Sequence, residues 1–96
     1  MISSKQRAKL KSIISTEQAI CNIGKDGLSE LCVKSIKQAL DARELIKINV
    51  LQNCELSSRQ VADMLIEKLN CEIVDVLGRK IVVYKFNKEK KTHILE

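Results

Sequence analysis

Residues 20–30, Ile20-Cys21-Asn22-Ile23-Gly24-Lys25-Asp26-Gly27-Leu28-Ser29-Glu30, read as a short strand, a tight loop and the first turn of a helix. Gly24 and Gly27 permit positive φ and allow another chain to approach the backbone closely. Ser29 is a typical helix N-cap, and a helix N-terminus presents unpaired N–H groups with a partial positive charge. With Lys25 at its tip, this stretch suits a phosphate. The same parts also make an ordinary strand-to-helix turn, so both interpretations stay open on these residues alone.

The segments on both sides of this loop alternate between helical and strand patterns. Apolar residues at helical spacing or in β-rich runs predict a helix from Ser3 or Ser4 to about Ser15, a strand over 19–23, a helix over about 30–42 and a strand over 45–51. Ser57 and Gln60 match a capping box, which indicates a third helix that extends through Asn70. The runs 72–77 and 80–86, separated by Gly78-Arg79, predict a β-hairpin.

This order, α-β-α-β-α-β-β, predicts an α/β fold. Strand–helix–strand units favour right-handed crossovers between parallel strands, and the terminal hairpin adds an antiparallel pair. We therefore expect a four-stranded mixed sheet packed with three helices. The chain has 96 residues, which suits one domain. Residues 87–96 are charged and lack periodicity, so we predict a domain over 1–86 and a frayed tail over 87–96.

The positive charge is concentrated at both ends of the chain. The net charge is +5, with 17 Lys and Arg against 12 Asp and Glu. Residues 1–25 hold five bases against one acid and residues 78–96 hold six against two, whereas residues 26–77 hold six against nine. This distribution indicates a polarised surface that faces a polyanion. Basic termini that only maintain solubility would show the same pattern.

The residue inventory argues against enzymatic chemistry. The four cysteines are widely spaced without a C-x-x-C pair, so we expect structural thiols and no metal. The single histidine, His93, falls in the predicted tail, and Asp41 and Glu44 at a helix end are expected to be surface-exposed rather than acid–base groups. The loop lacks the further glycine of a dinucleotide fingerprint. We expect no enzyme, no cofactor and no small-molecule substrate.

The chain also lacks an apolar run long enough to span a bilayer, and we find no signal peptide in it. We therefore expect a reducing, cytoplasmic setting without membrane association. Only Tyr84 and Phe86 are aromatic, which argues against base stacking on several rings and favours contacts with a nucleic-acid backbone.

Four ordered motifs resemble the CRM domain, the RNA-binding module of chloroplast splicing and ribosome-maturation proteins. They are Lys5-Gln6-Arg7 with Leu10, residues 23–29 (IGKDGLS), residues 39–48 (ALDARELIKI) and residues 76–84 (VLGRKIVVY). The resemblance covers about residues 3–86. The stand-alone bacterial form of this family, the YhbY-type protein, associates with precursors of the large ribosomal subunit.

The resemblance implies a fold similar to the C-terminal domain of bacterial translation initiation factor three. It implies RNA contact through the glycine loop, which carries over to Gly24, Lys25, Asp26 and Gly27, although Asp26 is better suited to cap the turn than to touch phosphate. The family's neighbouring basic surface carries over to Lys5, Arg7, Lys9 and Lys11, and a second set is Lys34, Lys37, Arg79 and Lys80.

The partner implied by the resemblance is RNA, specifically ribosomal RNA or pre-ribosomal particles, bound by a monomer. Two other classes stay open. The chain could serve as a protein-interaction module that docks on ribosomal or other acidic partners. It could also bind duplex DNA, although no helix-turn-helix spacing supports that.

Overall fold

A computed structural model describes residues 2–89 and gives this part of the chain three helices and four strands. They are α1 (Ser4–Ile14), β1 (Cys21–Ile23), α2 (Glu30–Arg43), β2 (Leu45–Val50), α3 (Ser58–Leu69), β3 (Glu72–Leu77) and β4 (Lys80–Tyr84). The predicted element order is confirmed. Two strands are shorter than predicted, because β1 begins only at Cys21 and β4 already ends at Tyr84.

The four strands form one mixed sheet in the order β1-β2-β4-β3. β1 and β2 are parallel, and β4 lies antiparallel between β2 and β3. The predicted β3–β4 hairpin is confirmed. Its two-residue turn places Gly78 at φ 58°, a conformation that favours glycine at the first turn position.

Each helix begins at a serine whose hydroxyl caps the first turn. Ser3, Ser29 and Ser57 accept hydrogen bonds from the backbone N–H groups of Gln6, Cys32 and Gln60, respectively. In α1 and α3 the glutamine side-chain oxygen also accepts a hydrogen bond from the serine backbone N–H, which completes a capping box. The sequence therefore encodes all three helix starts locally.

The helices cover the two faces of the sheet unequally. α2 and α3 pack on one face over the larger core, which includes Ile23, Ile36, Ile48 and Leu65. α1 lies on the opposite face, called the α1 face below, where a smaller cluster contains Leu10, Ile14, Leu45, Val74, Val82 and Tyr84. Because side chains alternate along a strand, Lys47 and Asn49 of β2 point to the α1 face, while Ile46, Ile48 and Val50 point to the larger core.

The prediction that Glu44 is surface-exposed is wrong. Glu44 ends α2 at φ 63° and is fully buried. Its carboxylate accepts a hydrogen bond from the backbone N–H of Asn87 (2.8 Å), and its carbonyl accepts one from Lys85 N–H (2.8 Å). A buried charge is tolerated only with such partners, so Glu44 ties the segment after β4 to the end of α2. Asp41 is exposed, as expected.

The predicted tail over 87–96 lies mostly outside the described residues. Residues 87–89 are described, and the Asn87 side chain donates a hydrogen bond to the Asp41 carbonyl (2.8 Å). The domain boundary at residue 86 stays a prediction. His93 lies outside the described residues.

Arg7 holds α1 against the sheet through hydrogen bonds to β3. Its Nη1 donates hydrogen bonds to the carbonyls of Ile73 (2.8 Å) and Val74, where the β3–β4 register shifts between Ile73 and Asp75. A bulge leaves ladder groups without strand partners, and Arg7 supplies the missing donor. The guanidinium is therefore used within the fold.

We expect Arg7→Ala to lower the free energy of unfolding by about 1–3 kcal/mol, because it leaves two backbone carbonyls without the hydrogen bonds that the guanidinium donates. Urea titration followed by circular dichroism measures this change. Lys5→Ala is the matched control, since Lys5 is an exposed cation on the same helix and should change stability by less than about 0.5 kcal/mol. Equal stability of the two variants would contradict the structural role of Arg7.

Candidate nucleic-acid interface

The glycine loop, residues 24–27, is a single β-turn that connects β1 to the start of α2. The Gly27 N–H donates to the Gly24 carbonyl (2.9 Å), which closes the turn and places Lys25 and Asp26 at its exposed tip. The backbone closes this turn without the Asp26 carboxylate, which accepts no hydrogen bond from residues 2–89. The predicted Asp26 cap is therefore not seen.

The two glycines differ in backbone conformation. Gly27 has φ 63°, which L-residues rarely adopt, whereas Gly24 has no positive φ. A Cβ at Gly24 would lie 3.4 Å from Asn53 Oδ1 and 3.5 Å from Leu51 Cδ1. These are ordinary van der Waals distances, so the Gly24 position has room for a Cβ, and the expectation of positive φ holds only for Gly27.

Several anion-attracting groups converge at one end of the sheet. α2 follows the carboxyl end of β1 and α3 follows that of β2, so both helix N-termini lie at the same end of these parallel strands. An uncapped N–H and a partial positive charge remain at each terminus even after serine capping. The sequence pattern identified only the α2 terminus as part of the site.

The turn of the β3–β4 hairpin lies at this same end, because β4 is antiparallel to β2 and begins there. The Arg79 carbonyl accepts a hydrogen bond from Val50 N–H (2.7 Å), and Arg79 Nη1 donates to the Leu51 carbonyl (3.3 Å). Ser58 Oγ of α3 donates to the Gly78 carbonyl (2.7 Å). We call the assembly of the glycine loop, residues 51–58 and residues 78–80 the loop end.

The α1 cations and the glycine loop belong to parts of the chain that pack on opposite faces of the sheet. α1 packs on the α1 face, whereas the loop leads into α2 on the opposite face. Lys5, Lys9 and Lys11 are exposed, and Lys11 forms an ion pair with Asp75 of β3 (3.8 Å). Arg7 is only partly exposed and bonds to the sheet. The predicted basic set therefore divides into solvent-facing lysines and one structural arginine.

The second predicted set of basic residues also divides between two locations. Arg79 and Lys80 are exposed at the loop end. Lys34 and Lys37 instead line a shallow groove on the helical side, together with Leu28, Glu30, Val33 and Lys68. Asn53 was missed by sequence reasoning, because a polar residue in a loop carries no signal until the fold places it against Gly24.

All four cysteines are free thiols, with Cys54 and Cys71 buried. Burial raises the pKa of the Cys21, Cys32 and Cys71 thiols, and the neighbouring Cys32 raises the pKa of Cys21 further. A raised pKa lowers the thiolate fraction and hence nucleophilicity, so these groups are poorly suited to covalent chemistry.

Within residues 2–89, no group of three His, Cys, Asp or Glu side chains is placed to hold a metal ion. The helices described here are too short or too polar for any of them to cross a membrane.

The chain is similar to several known proteins over nearly its full length. The Bacillus subtilis protein named "Probable RNA-binding protein YqeI" is 41% identical over 91 residues, which cover 95% of each chain. An RNA-binding protein of Haemophilus influenzae is 25% identical over 93 residues, 97% of this chain and 94% of that one. The solution structure of a hypothetical Staphylococcus aureus protein has a TM-score of 0.78 and 40% identity, covering 95% of each chain.

The model of the CRS1 / YhbY (CRM) domain matches residues 2–85, which include all seven elements of the fold and the whole loop end. The family predicted from the four sequence motifs is therefore confirmed: this chain belongs to the CRS1 / YhbY (CRM) domain family.

Proposed function

We propose that this protein binds RNA through the loop end, and that its partner is ribosomal RNA in precursors of the large ribosomal subunit. One observation carries the proposal. Two helix N-termini, the glycine loop and the exposed cations Lys25, Arg79 and Lys80 meet at one end of the sheet. Phosphates bind well at such a place because backbone N–H groups and cations converge there. Relatives named as RNA-binding proteins support RNA as the partner.

The α1 lysines extend this proposed surface. Lys11 borders the α1 face beside Lys47 and Lys80, so it forms the link between α1 and the loop end. Lys5 and Lys9 lie farther towards the start of α1 and contribute long-range attraction to a polyanion. Arg7 serves the surface indirectly by fixing α1 on β3. Gly24, Lys25, Asp26 and Gly27 form the loop on which the RNA backbone rests.

The side chains offered at the loop end favour recognition of the RNA backbone rather than base stacking. Tyr84 is 5% exposed and packs in the cluster beneath α1, so its ring is not offered to RNA. Phe86 is 54% exposed but follows β4 at the end opposite the loop end. We propose a binding protein and no enzymatic role, acting as a monomer in the cytoplasm.

The first prediction concerns salt. If Lys11, Lys25, Arg79 and Lys80 each neutralise one phosphate, log affinity should fall against log salt with a slope of about −3, because each contact releases counterions. Fluorescence anisotropy with a labelled stem–loop RNA, over a tenfold range of KCl concentration, measures the slope. Nearly constant affinity over that range would contradict binding through phosphates.

The second prediction separates the loop's shape from its charge. Lys25→Ala should weaken RNA binding about fivefold, or about 1 kcal/mol, and the loss should shrink at high salt. Gly27→Val should weaken binding more, and at every salt concentration, because it adds bulk and strains a backbone at φ 63°. Binding is measured by the same anisotropy assay.

Two controls accompany these variants. Lys88→Ala removes an exposed cation beyond the far end of β4 and should leave affinity within about twofold of the unchanged protein. Urea unfolding of Gly27→Val establishes that the variant is folded under assay conditions. If Lys11→Ala weakens binding more than folded Gly27→Val, the principal site lies on α1 and the loop is only a turn.

The third prediction concerns the partner. Ultraviolet cross-linking in cells, followed by sequencing of the attached RNA, should enrich large-subunit ribosomal RNA. A double variant, Lys25→Ala with Arg79→Ala, should lose most of that enrichment at equal protein level. Recovery of the same ribosomal proteins after ribonuclease treatment would instead indicate a protein-interaction module, and preference for duplex DNA in competition would indicate a DNA-binding protein.

A further inference from the structure

The part of the α1 face nearest the loop end carries a row of four side chains, one from each strand. The register pairs Asn22 of β1 with Asn49 of β2, Asn49 with Lys80 of β4, and Lys80 with Leu77 of β3. These residues therefore lie side by side across the sheet. Asn22, Lys80 and Leu77 are exposed and Asn49 is half-buried. We call this set the asparagine row.

The composition of the row is unusual for a sheet. Asparagine is depleted in strands, where β-branched and aromatic residues are favoured, yet two asparagines are paired on adjacent strands here. Neither side-chain amide makes a hydrogen bond to any residue in the range 2–89. Each amide can donate two hydrogen bonds and accept two, and this capacity faces solvent. Leu77, 67% exposed, places an aliphatic side chain at the end of the row.

A groove of about 340 Å³ runs between the row and α1, with an apolar floor that includes Ile14 and Val82. Lys11, Lys47 and Lys80 line it, with Asp75 as the acid among the lining residues. Asp75 is paired with Lys11 (3.8 Å), and Lys47 Nζ donates to the Glu17 carbonyl (2.9 Å). The groove therefore has an excess of positive charge beside neutral amides, which complements an anionic polymer with polar bases.

The row is continuous with the loop end. Asn22 lies two residues before Gly24, and Lys80 directly follows Arg79. Two residues of extended chain span about 7 Å, which is about twice the 3.4 Å rise per phosphate along one strand of B-form DNA. A strand held by its phosphates at the glycine loop thus reaches the row with its next one or two nucleotides.

We propose that the asparagine row binds unpaired nucleotides of the RNA whose backbone is held at the loop end. This inference rests on the proposed RNA-binding function. The amides of Asn22 and Asn49 bond to exposed base edges, Leu77 contacts a base face, and Lys80 contacts a phosphate. Unpaired nucleotides offer these groups to a flat surface, whereas a duplex buries its base edges in stacked pairs.

The test uses two RNA probes, a stem–loop with an unpaired loop and a blunt duplex of the same stem sequence. The double variant Asn22→Ala with Asn49→Ala should bind the stem–loop about tenfold more weakly, because base contacts contribute to that probe alone. Its affinity for the duplex should stay within about twofold of the unchanged protein. Since both substitutions are neutral, the loss should persist at high salt.

Gln38→Ala is the matched control, because Gln38 is an exposed neutral amide on α2, on the opposite side of the sheet. It should bind both probes like the unchanged protein. Heteronuclear NMR gives a second readout that needs no variant, since the side-chain NH₂ signals of Asn22 and Asn49 should shift on titration with the stem–loop. A separate backbone amide spectrum of the double variant establishes that this variant is folded.

The possible failures are distinguishable. If the double variant binds the stem–loop with unchanged affinity while Lys25→Ala binds it more weakly, the asparagine row does not bind RNA and the loop end remains the RNA site. Equal loss on both probes would overturn base recognition in favour of backbone contact. If an acidic peptide shifts the Asn22 and Asn49 signals while the stem–loop does not, the row is a protein-docking surface. If the unchanged protein binds neither RNA probe, the proposed function itself fails.

Discussion

The parallel pairing of β1 with β2 is the constraint on which the rest of this structure depends. Parallel neighbours need a crossover connection, so α2 must return the chain across the sheet before β2 can form. The Leu51 N–H bonds to the Ile23 carbonyl (2.8 Å), which aligns the ends of the two strands. Because each strand then leads into a helix, two helix N-termini lie at one end of the sheet. A surface suited to anions results from the chain path before any side chain is considered.

Two polar side chains, the half-buried Arg7 and the buried Glu44, hold the peripheral segments on this frame. Arg7 satisfies carbonyls at the bulge of β3 and so fixes α1, which also contacts the sheet through a small apolar cluster and the Lys11–Asp75 ion pair. Glu44 accepts the Asn87 N–H and so fixes the segment after β4. Tyr84 lies between these regions, and burial together with the nearby Glu44 and Glu72 raises the pKa of its phenol. Its hydroxyl therefore stays protonated, and the ring serves the core.

Backbone recognition and base recognition are divided between two parts of the proposed surface. The loop end supplies cations and helix N-termini, which attract phosphates of any sequence. The asparagine row supplies neutral donors and acceptors, which distinguish one nucleotide from another. On this proposal, a domain with only two aromatic residues prefers some RNAs over others without stacking bases on rings.

The sequence by itself determined the features that arise within one turn of helix or one strand. Ser29 and the Ser57–Gln60 box mark helix starts because capping bonds join residues three apart, and Gly78-Arg79 marks the hairpin because its turn needs a positive φ. The four ordered motifs also identified the family.

Only the tertiary structure decided which of these local features meet. The convergence of the glycine loop with Arg79, the fastening of α1 by Arg7 and the burial of Glu44 each join residues that are distant in the chain. Asn22 and Asn49 become neighbours because strand register, set by packing of alternate side chains into the core, aligns them across 27 positions of sequence. No pattern within a single segment specifies that alignment, since register depends on all four strands burying their apolar faces together.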